Sequence, residues 1–540
     1  LPYSRRPMAP PPSGSPPRWL LALALLPCLG YLAAELYFLD GRLGFPLDDS
    51  WIHLVFARNL AAGAPFSFQG GELVAGSTAP LWSALLSLAF LAPGPPLPWV
   101  KVLGIGWHLA AVAAVAGLAR ELGGSRGAAA LAGAFAATTS WLVWGALSGM
   151  EIPCFAALSA WGMVLQSRER RDPMRRPLAL LLFALATLVR PEGALLLALA
   201  VGDRLLRVRR QGEALALARP AWRPLLAGLG LAALVLLPVL LFYLAIGGDP
   251  LPTTFSTKAG YAAPGLPRLR YLYVVFGIVF QAQPVVALLA AAGALSLVAR
   301  LGGEDDRGLL PGLWLLALPL AYGVLSAHQR SPLVGNFGRY LFPLFPVAAA
   351  LAVLPLQAAA AALPSRLALG GRSFAWKAAA AVLLLLPSLP PLARGGGRYV
   401  QSVLNVEQSD VRMARLLSAV LPPEAVLAVN DIGAFGYHLP NRLIDLAGIV
   451  TPEVHDWARR SVAETGNWRP GVHAFVEHTR PDYLAVFPAW FGGLLDRPGY
   501  TPLLRLRVAD NITMGGDELV LYATPWTRAP LRRPLREPPS

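Results

Sequence analysis

Phe45-Pro46-Leu47-Asp48-Asp49-Ser50-Trp51-Ile52-His53-Leu54 follows the first long apolar run and sets two adjacent carboxylates at the head of an amphipathic helix. The helical pattern runs to about Leu60, where Gly63 and Pro65 supply stop signals. Either aspartate can cap the helix by accepting a backbone N–H, and the helix dipole favours negative charge there. A cap needs only one carboxylate. Two neighbours repel, so their titrations are coupled and one can stand poised as a base. Which role applies depends on where the rest of the chain delivers the pair.

The 540 residues are 55% hydrophobic and 14% charged, with a mean hydropathy of +0.51. A soluble chain carries about a quarter charged residues. Apolar runs of about 18 or more residues therefore define an α-helical polytopic membrane protein. The net charge of +15 comes largely from arginines in short loops between apolar runs. That is the positive-inside pattern, so the charge reports topology and not a nucleic-acid partner. Cys28 and Cys154 both fall inside apolar runs, which indicates neither a disulfide framework nor a zinc site. Asn511-Ile512-Thr513 has the form of a glycosylation sequon, without meaning in a bacterial chain.

Residues 1–18 are rich in Pro and Ser, with Arg5, Arg6 and Arg18, and read as a disordered cytoplasmic tail. The run from Trp19 to Leu39 is too long for a signal-peptide core and reads as an anchor that carries Asp48 and Asp49 to the outer face. Residues 81–92 are too short for a span and suit an interfacial or re-entrant helix within a first outer loop, 40–97. Basic loops at Arg120 and Arg126 and from Arg168 to Arg176 belong inside, with spans near 98–118, 127–147 and 150–166. In the apolar stretch from Pro177 to Val201, Arg190-Pro191-Glu192-Gly193 interrupts the run, so two short helices meet there near the outer surface. Further spans fall near 224–246, 279–300, 309–327, 341–362 and 375–393, for about eleven in all. The membrane domain thus covers 19–393. From Arg394 to Ser540 the pattern changes to an extracytoplasmic α/β domain. It has an amphipathic helix at 401–421 and strands at Ala425–Val429, Leu443–Leu446, Tyr483–Phe487, Leu503–Val508 and Glu518–Tyr522.

This topology gathers the polar oddities on the outer side: Asp48, Asp49, His53, Glu72, Glu151, Arg190, Glu192, Thr254, Lys258, Arg339 and Tyr340. Singly, each has a structural reading. Arg190 with Glu192 makes an ion pair, Lys258 and Arg339-Tyr340 are interfacial anchors, and Glu151 caps a helix. Together they suit chemistry on a lipid-borne anion, with cations holding a phosphate leaving group and a carboxylate taking a proton from an acceptor hydroxyl. A transporter or flippase for lipid-linked sugars, the second class considered, concentrates its charges near the midplane. A non-catalytic envelope scaffold is the third.

The stretch Leu47–Leu60, with Gly71-Glu72 and Thr78-Ala79-Pro80-Leu81-Trp82, resembles the first outer loop of GT-C glycosyltransferases. It is most similar to the polyprenyl-phosphate-arabinose-dependent arabinofuranosyltransferases and their bacterial relatives. The resemblance continues through Ser148-Gly149-Met150-Glu151, Leu188–Gly193, Gly248–Lys258, Gly338-Arg339-Tyr340, Asn430–Tyr437 and Ile444–Gly448. It implies inverting transfer from a polyprenyl-phosphate sugar to a glycan, lipid or protein hydroxyl at the outer face of a bacterial inner membrane. Asp48 or Asp49 is then the base, and Lys258, Arg339 and Arg190 hold the donor phosphate. His53, Glu72, Glu151, Glu192, Thr254 and Tyr340 are expected to touch substrate. Asp48 is the favoured base, because Asp49 is the better-placed cap and a capping carboxylate has its lone pairs engaged. Where relatives often carry Glu-Gly-Tyr-Thr, Ala75-Gly76-Ser77-Thr78 stands here, so one acidic ligand is absent, Glu72 is its candidate substitute, and a divalent metal stays open. Pro252-Thr253-Thr254 replaces Pro-Asn-Thr and leaves the sugar open.

Overall fold

The computed structural model describes residues 17–172, 175–210, 222–253, 269–298, 308–325, 336–362 and 373–534. Helix α1 (Arg18–Phe38) is followed by α2 (Asp48–Ala61) and the twelve-residue α3 (Pro80–Leu91). Then come α4 (Pro96–Glu121), α5 (Arg126–Ala137), α6 (Ser140–Leu147) and α7 (Ile152–Arg171). Helices α8 (Leu178–Val189) and α9 (Gly193–Arg210) meet at the Arg190–Glu192 break, since Pro191 lacks the N–H that would continue the helix. The bundle continues with α10 (Trp222–Gly247), α11 (Leu269–Ala282), α12 (Pro284–Val298), α13 (Leu309–Leu325), a 3-10 segment (Asn336–Leu344) and α14 (Phe345–Ala362). Pro284 divides the expected 279–300 span between α11 and α12.

Among the described residues five helices are long and apolar enough to cross a membrane, and the bent α5–α6 pair, with its 59° kink, makes up to six. Helix α3, helix α8 and parts of α11, α12 and α13 are apolar but shorter. The last span does not stop at residue 394. Helix α15 (Ser373–Leu385) leads through a 3-10 turn into α16 (Leu389–Val406), a π-helical turn (Glu407–Val411) and α17 (Arg412–Val420). The change in composition at Arg394 therefore falls within one helical rod.

Beyond α17 the five strands fall close to their expected places: β1 (Leu427–Val429), β2 (Leu443–Asp445), β3 (Tyr483–Val486), β4 (Thr501–Arg507) and β5 (Glu518–Ala523). Their order is β2-β1-β3-β5-β4, parallel through β2-β1-β3 and antiparallel through β3-β5-β4. The short α18 (Gly433–His438) connects β1 to β2, and α19 (Val454–Thr465) and α20 (Arg469–Thr479) connect β2 to β3. One face of the sheet packs on α19 and α20 through Val454, Ala458, Phe475 and Val476. The other packs on α17 and on Ile52, Val55 and Phe56 of α2. Trp51, Leu54 and Ala57 of the same helix pack instead into the membrane bundle. Helix α2 is thus apolar on two sides because it is clamped between two cores, and every residue from Ser50 to Ala57 is buried or nearly so.

Candidate active site

Neither aspartate caps its own helix: Leu47 is the N-cap of α2 and makes no side-chain cap bond. Asp48 instead caps α18, its two carboxylate oxygens accepting the backbone N–H groups of Gly433 at 2.6 Å and Ala434 at 2.7 Å. At the other end of α18, Arg58 donates to the carbonyls of Gly436 at 3.1 Å and Tyr437 at 2.7 Å. One helix, α2, so supplies an anion to the positive end and a cation to the negative end of its neighbour. The glycines of Asn430–Tyr437 follow from this contact. A Cβ on Gly433 would lie 2.1 Å from the Asp48 carbonyl oxygen, and one on Gly436 would meet the Phe68 ring at 2.6 Å.

Asp49 points elsewhere. Its carboxylate accepts from Arg339 Nη2 at 2.5 Å and remains 24% exposed, while Arg339 is 3% exposed. The 3-10 segment delivers Arg339 after Gly338, whose φ of +72° is a left-handed turn that favours glycine. Arg339 Nε and Nη1 have no hydrogen-bond partner among the described residues. The Tyr340 ring carries the guanidinium of Arg339 at 5.3 Å and that of Arg190 at 5.6 Å. Arg190 is more fully engaged than Arg339, reaching Glu151 at 2.5 Å and Glu192 at 2.6 Å. Tyr322 also donates to Glu192. His53, one turn along α2 from Asp49, places Nε2 3.3 Å from the Glu151 carboxylate.

Asp48, Asp49, His53, Glu151, Arg190, Glu192, Arg339 and Tyr340 therefore form one contiguous cluster. Glu72 does not join it: it is exposed on a turn, with no ion-pair partner among the described residues. Lys258 and Thr254 lie outside the described residues.

Reading by residue type missed the contribution of the C-terminal domain. Asp49 lines a cleft whose far wall is Asn430, Asp431, Ala447, Ile449, Thr513 and Met514. Burial, reinforced by the charges of Asp48, Asp49 and Asp445, holds the Asp431 carboxyl well above its ordinary range. Burial also raises Asp48 to about 7, against the pull of the Ala434 and Gly433 N–H groups. Asp445 is raised to about 6 by burial, opposed by the N–H groups of Val450, Ala447, Ile449 and Gly448. The signal for Asp431 was the acid between a strand and a glycine-rich turn, but nothing in its sequence neighbourhood names Asp48 as its companion. Among the described residues no three His, Cys, Asp or Glu side chains are grouped as a metal ion requires, so no step through a metal is derived.

Comparison with known proteins places the architecture. A family described as a domain of unknown function (DUF8728) matches residues 401–526. No curated protein sequence matches the chain. The apo crystal structure of ArnT from Cupriavidus metallidurans superposes with a TM-score of 0.55 at 16% identity, covering 95% of this chain and 98% of ArnT. The oligosaccharyltransferase of Archaeoglobus fulgidus, in complex with Zn and sulfate, gives a TM-score of 0.60 at 13% identity. That alignment covers 86% of this chain and 67% of the oligosaccharyltransferase. The fold is the GT-C fold of membrane glycosyltransferases.

Proposed function

We propose that the chain is a membrane glycosyltransferase that moves a sugar, with inversion, from a polyprenyl-phosphate donor to a hydroxyl of an envelope glycan, lipid or protein. The observation that carries this reading is the Asp49–Arg339 pair: a part-exposed carboxylate beside a buried guanidinium that retains two unpartnered N–H groups. A buried guanidinium with free donors calls for an anion with several acceptor oxygens, and a phosphate satisfies Nε and Nη1 while Nη2 keeps Asp49. Asp49 is then the base. The argument that a capping carboxylate has its lone pairs engaged now falls on Asp48, whose two oxygens hold α18.

In the reaction Asp49 takes the acceptor proton as the acceptor oxygen attacks the anomeric carbon from the face opposite the phosphate. The anomeric C–O bond breaks and its electron pair leaves on the polyprenyl phosphate, whose charge Arg339 holds. Arg190 is neutralised by Glu151 and Glu192, so its role in this reading is to fix Tyr340 and, through Glu151, His53. Two features support the assignment: Asp49, Arg190 and Arg339 come together in one cluster, and the cleft beside Asp49 is walled by residues of the C-terminal domain. The test offers purified protein radiolabelled polyprenyl-phosphate arabinose, mannose, glucose and galactose with envelope extract. Label should move from one donor into extract with wild type and not with Asp49→Asn. Equal transfer by both proteins rejects the assignment of the base, and no transfer from any donor rejects the reading as a whole.

A further inference from the structure

Asp49, Ile52 and Ile449 of the acidic cleft also line a smaller recess, with His53, Phe56, Gly76, Ser77 and Thr78. Two of the residues that line it carry a side-chain atom with no hydrogen-bond partner among the described residues: His53 Nδ1 and Ser77 Oγ. Both residues are more than nine-tenths buried, at 6% and 4% exposure. A buried donor or acceptor left unmade costs about 1–3 kcal/mol, so two of them facing one small space mark a place for a polar group.

The surroundings hold both atoms still. Tyr243 on α10 donates to the Ser77 carbonyl at 2.6 Å, fixing that backbone. Glu151 faces Nε2 of His53, so Nδ1, the other ring nitrogen, is left for a different partner. The Ser77 hydroxyl both donates and accepts. Between a ring nitrogen and the Ser77 hydroxyl, beside the Asp49 carboxylate, the fitting occupant is a hydroxyl group, which can both donate and accept. A phosphate oxygen only accepts, and the nearby carboxylate repels it. The recess has room for about one water-sized group and excludes a whole ring.

We infer that the recess between His53, Ser77 and Asp49 receives a single hydroxyl of the donor sugar and selects donors that carry it. This rests on the glycosyltransferase reading and deepens it, naming His53 and Ser77 as specificity-determining residues. A site built around one hydroxyl discriminates strongly against the analogue that lacks it, because its own polar atoms are then left unpaired.

The test uses full-length protein in lipid nanodiscs. The probes are polyprenyl phosphate itself, its arabinofuranosyl and mannosyl forms, and every monodeoxy form of whichever sugar binds more tightly. Binding and transfer are both measured. In wild type, one deoxy position should weaken binding by about tenfold or more, and the other positions by about threefold or less. His53→Ala and Ser77→Ala should each reduce that one-position difference to less than about twofold, with affinity for bare polyprenyl phosphate unchanged. Ser77→Ala is the mild variant and keeps the test informative where loss of the His53–Glu151 contact disturbs folding. Sugar transfer in which every deoxy position is equivalent, or in which the discrimination survives both variants, overturns the inference alone. Binding of both sugar-bearing lipids no tighter than polyprenyl phosphate, with no transfer, overturns the parent reading together with it.

Discussion

Two neighbouring aspartates with opposite orientations divide their work by geometry. Asp49 sits between the acidic cleft and the hydroxyl-sized recess, with one oxygen on Arg339. Replacing it with Asn keeps size and polarity and removes the base, so the transfer rate should fall by about 10²–10⁴-fold. Asp48→Asn should behave otherwise. It weakens a charge-assisted cap on α18, lowering the melting temperature by the equivalent of about 1–2 kcal/mol while transfer persists at a reduced rate. If the Asp48 variant loses transfer and the Asp49 variant keeps it, the roles are reversed. Arg339→Lys should raise the donor KM about as much as Arg339→Ala, because a point charge does not reproduce the fork that binds Asp49 and phosphate together. The Asp48-Asp49 pair was legible from its place after the first apolar run. Which of the two caps α18 was not, because the groups that engage Asp48 lie 385 and 386 residues further along.

The joint between α2 and α18 is where the two halves of the fold meet, and it accounts for a motif that resemblance could quote but not explain. Gly433 and Gly436 are small because α2 and the Phe68 loop pass directly over them. Gly433→Ala should therefore push α18 off Asp48, since the clash is with backbone and cannot be relieved by a rotamer change. Limited proteolysis should show the C-terminal domain released or cut faster, with transfer lost in step. Arg58→Ala removes two charge-assisted bonds to the last carbonyls of α18 and should cost about 1.5–3 kcal/mol in thermal stability. A Gly433→Ala protein as protease-resistant as wild type would mean that the joint is looser than it is drawn. The strands of the domain were legible from their alternation and their turn residues. The burial of α2 on both sides was half legible: Trp51, Ile52, Leu54, Val55 and Phe56 cover more than one face, yet the pattern names no second partner for the extra face.

Across the whole molecule, the site is closed by parts far apart in sequence, held by buried charge at two levels. Within the bundle, Lys101 meets Glu35, the Tyr399 hydroxyl and the carbonyls of Gly44 and Leu147, tying α1, α4 and α16 to the loop that leads into α2. Hydropathy placed Lys101 in a span but could not show that the rod from membrane to domain passes beside it at Tyr399. Orientation is a proposal that thiol chemistry can check, because Cys28 and Cys154 are both buried and give little background. Cysteine at Glu72 should react with an impermeant reagent added outside intact cells, and cysteine at Arg175 should react only after permeabilisation. At the joint between α2 and α18, the acids set a pH dependence. Asp48 is raised from the ordinary 3.8 to about 7 and Asp445 to about 6, both chiefly by burial, and Asp431 is raised well above its ordinary range for the same reason. Between about pH 4 and pH 7 these three carboxyls therefore bind more protons in the folded protein than in the unfolded chain, so their contribution to stability falls as pH rises through that window. The melting temperature of the detergent-solubilised protein should be higher at pH 5 than at pH 8. Asp431→Asn removes one of the mutually repelling carboxyls while keeping its size and polarity. It should raise the pH 8 melting temperature and narrow the difference between the two pH values. An Asp431→Asn variant with the same pH difference as wild type would rule out a buried, proton-binding acid cluster at this joint.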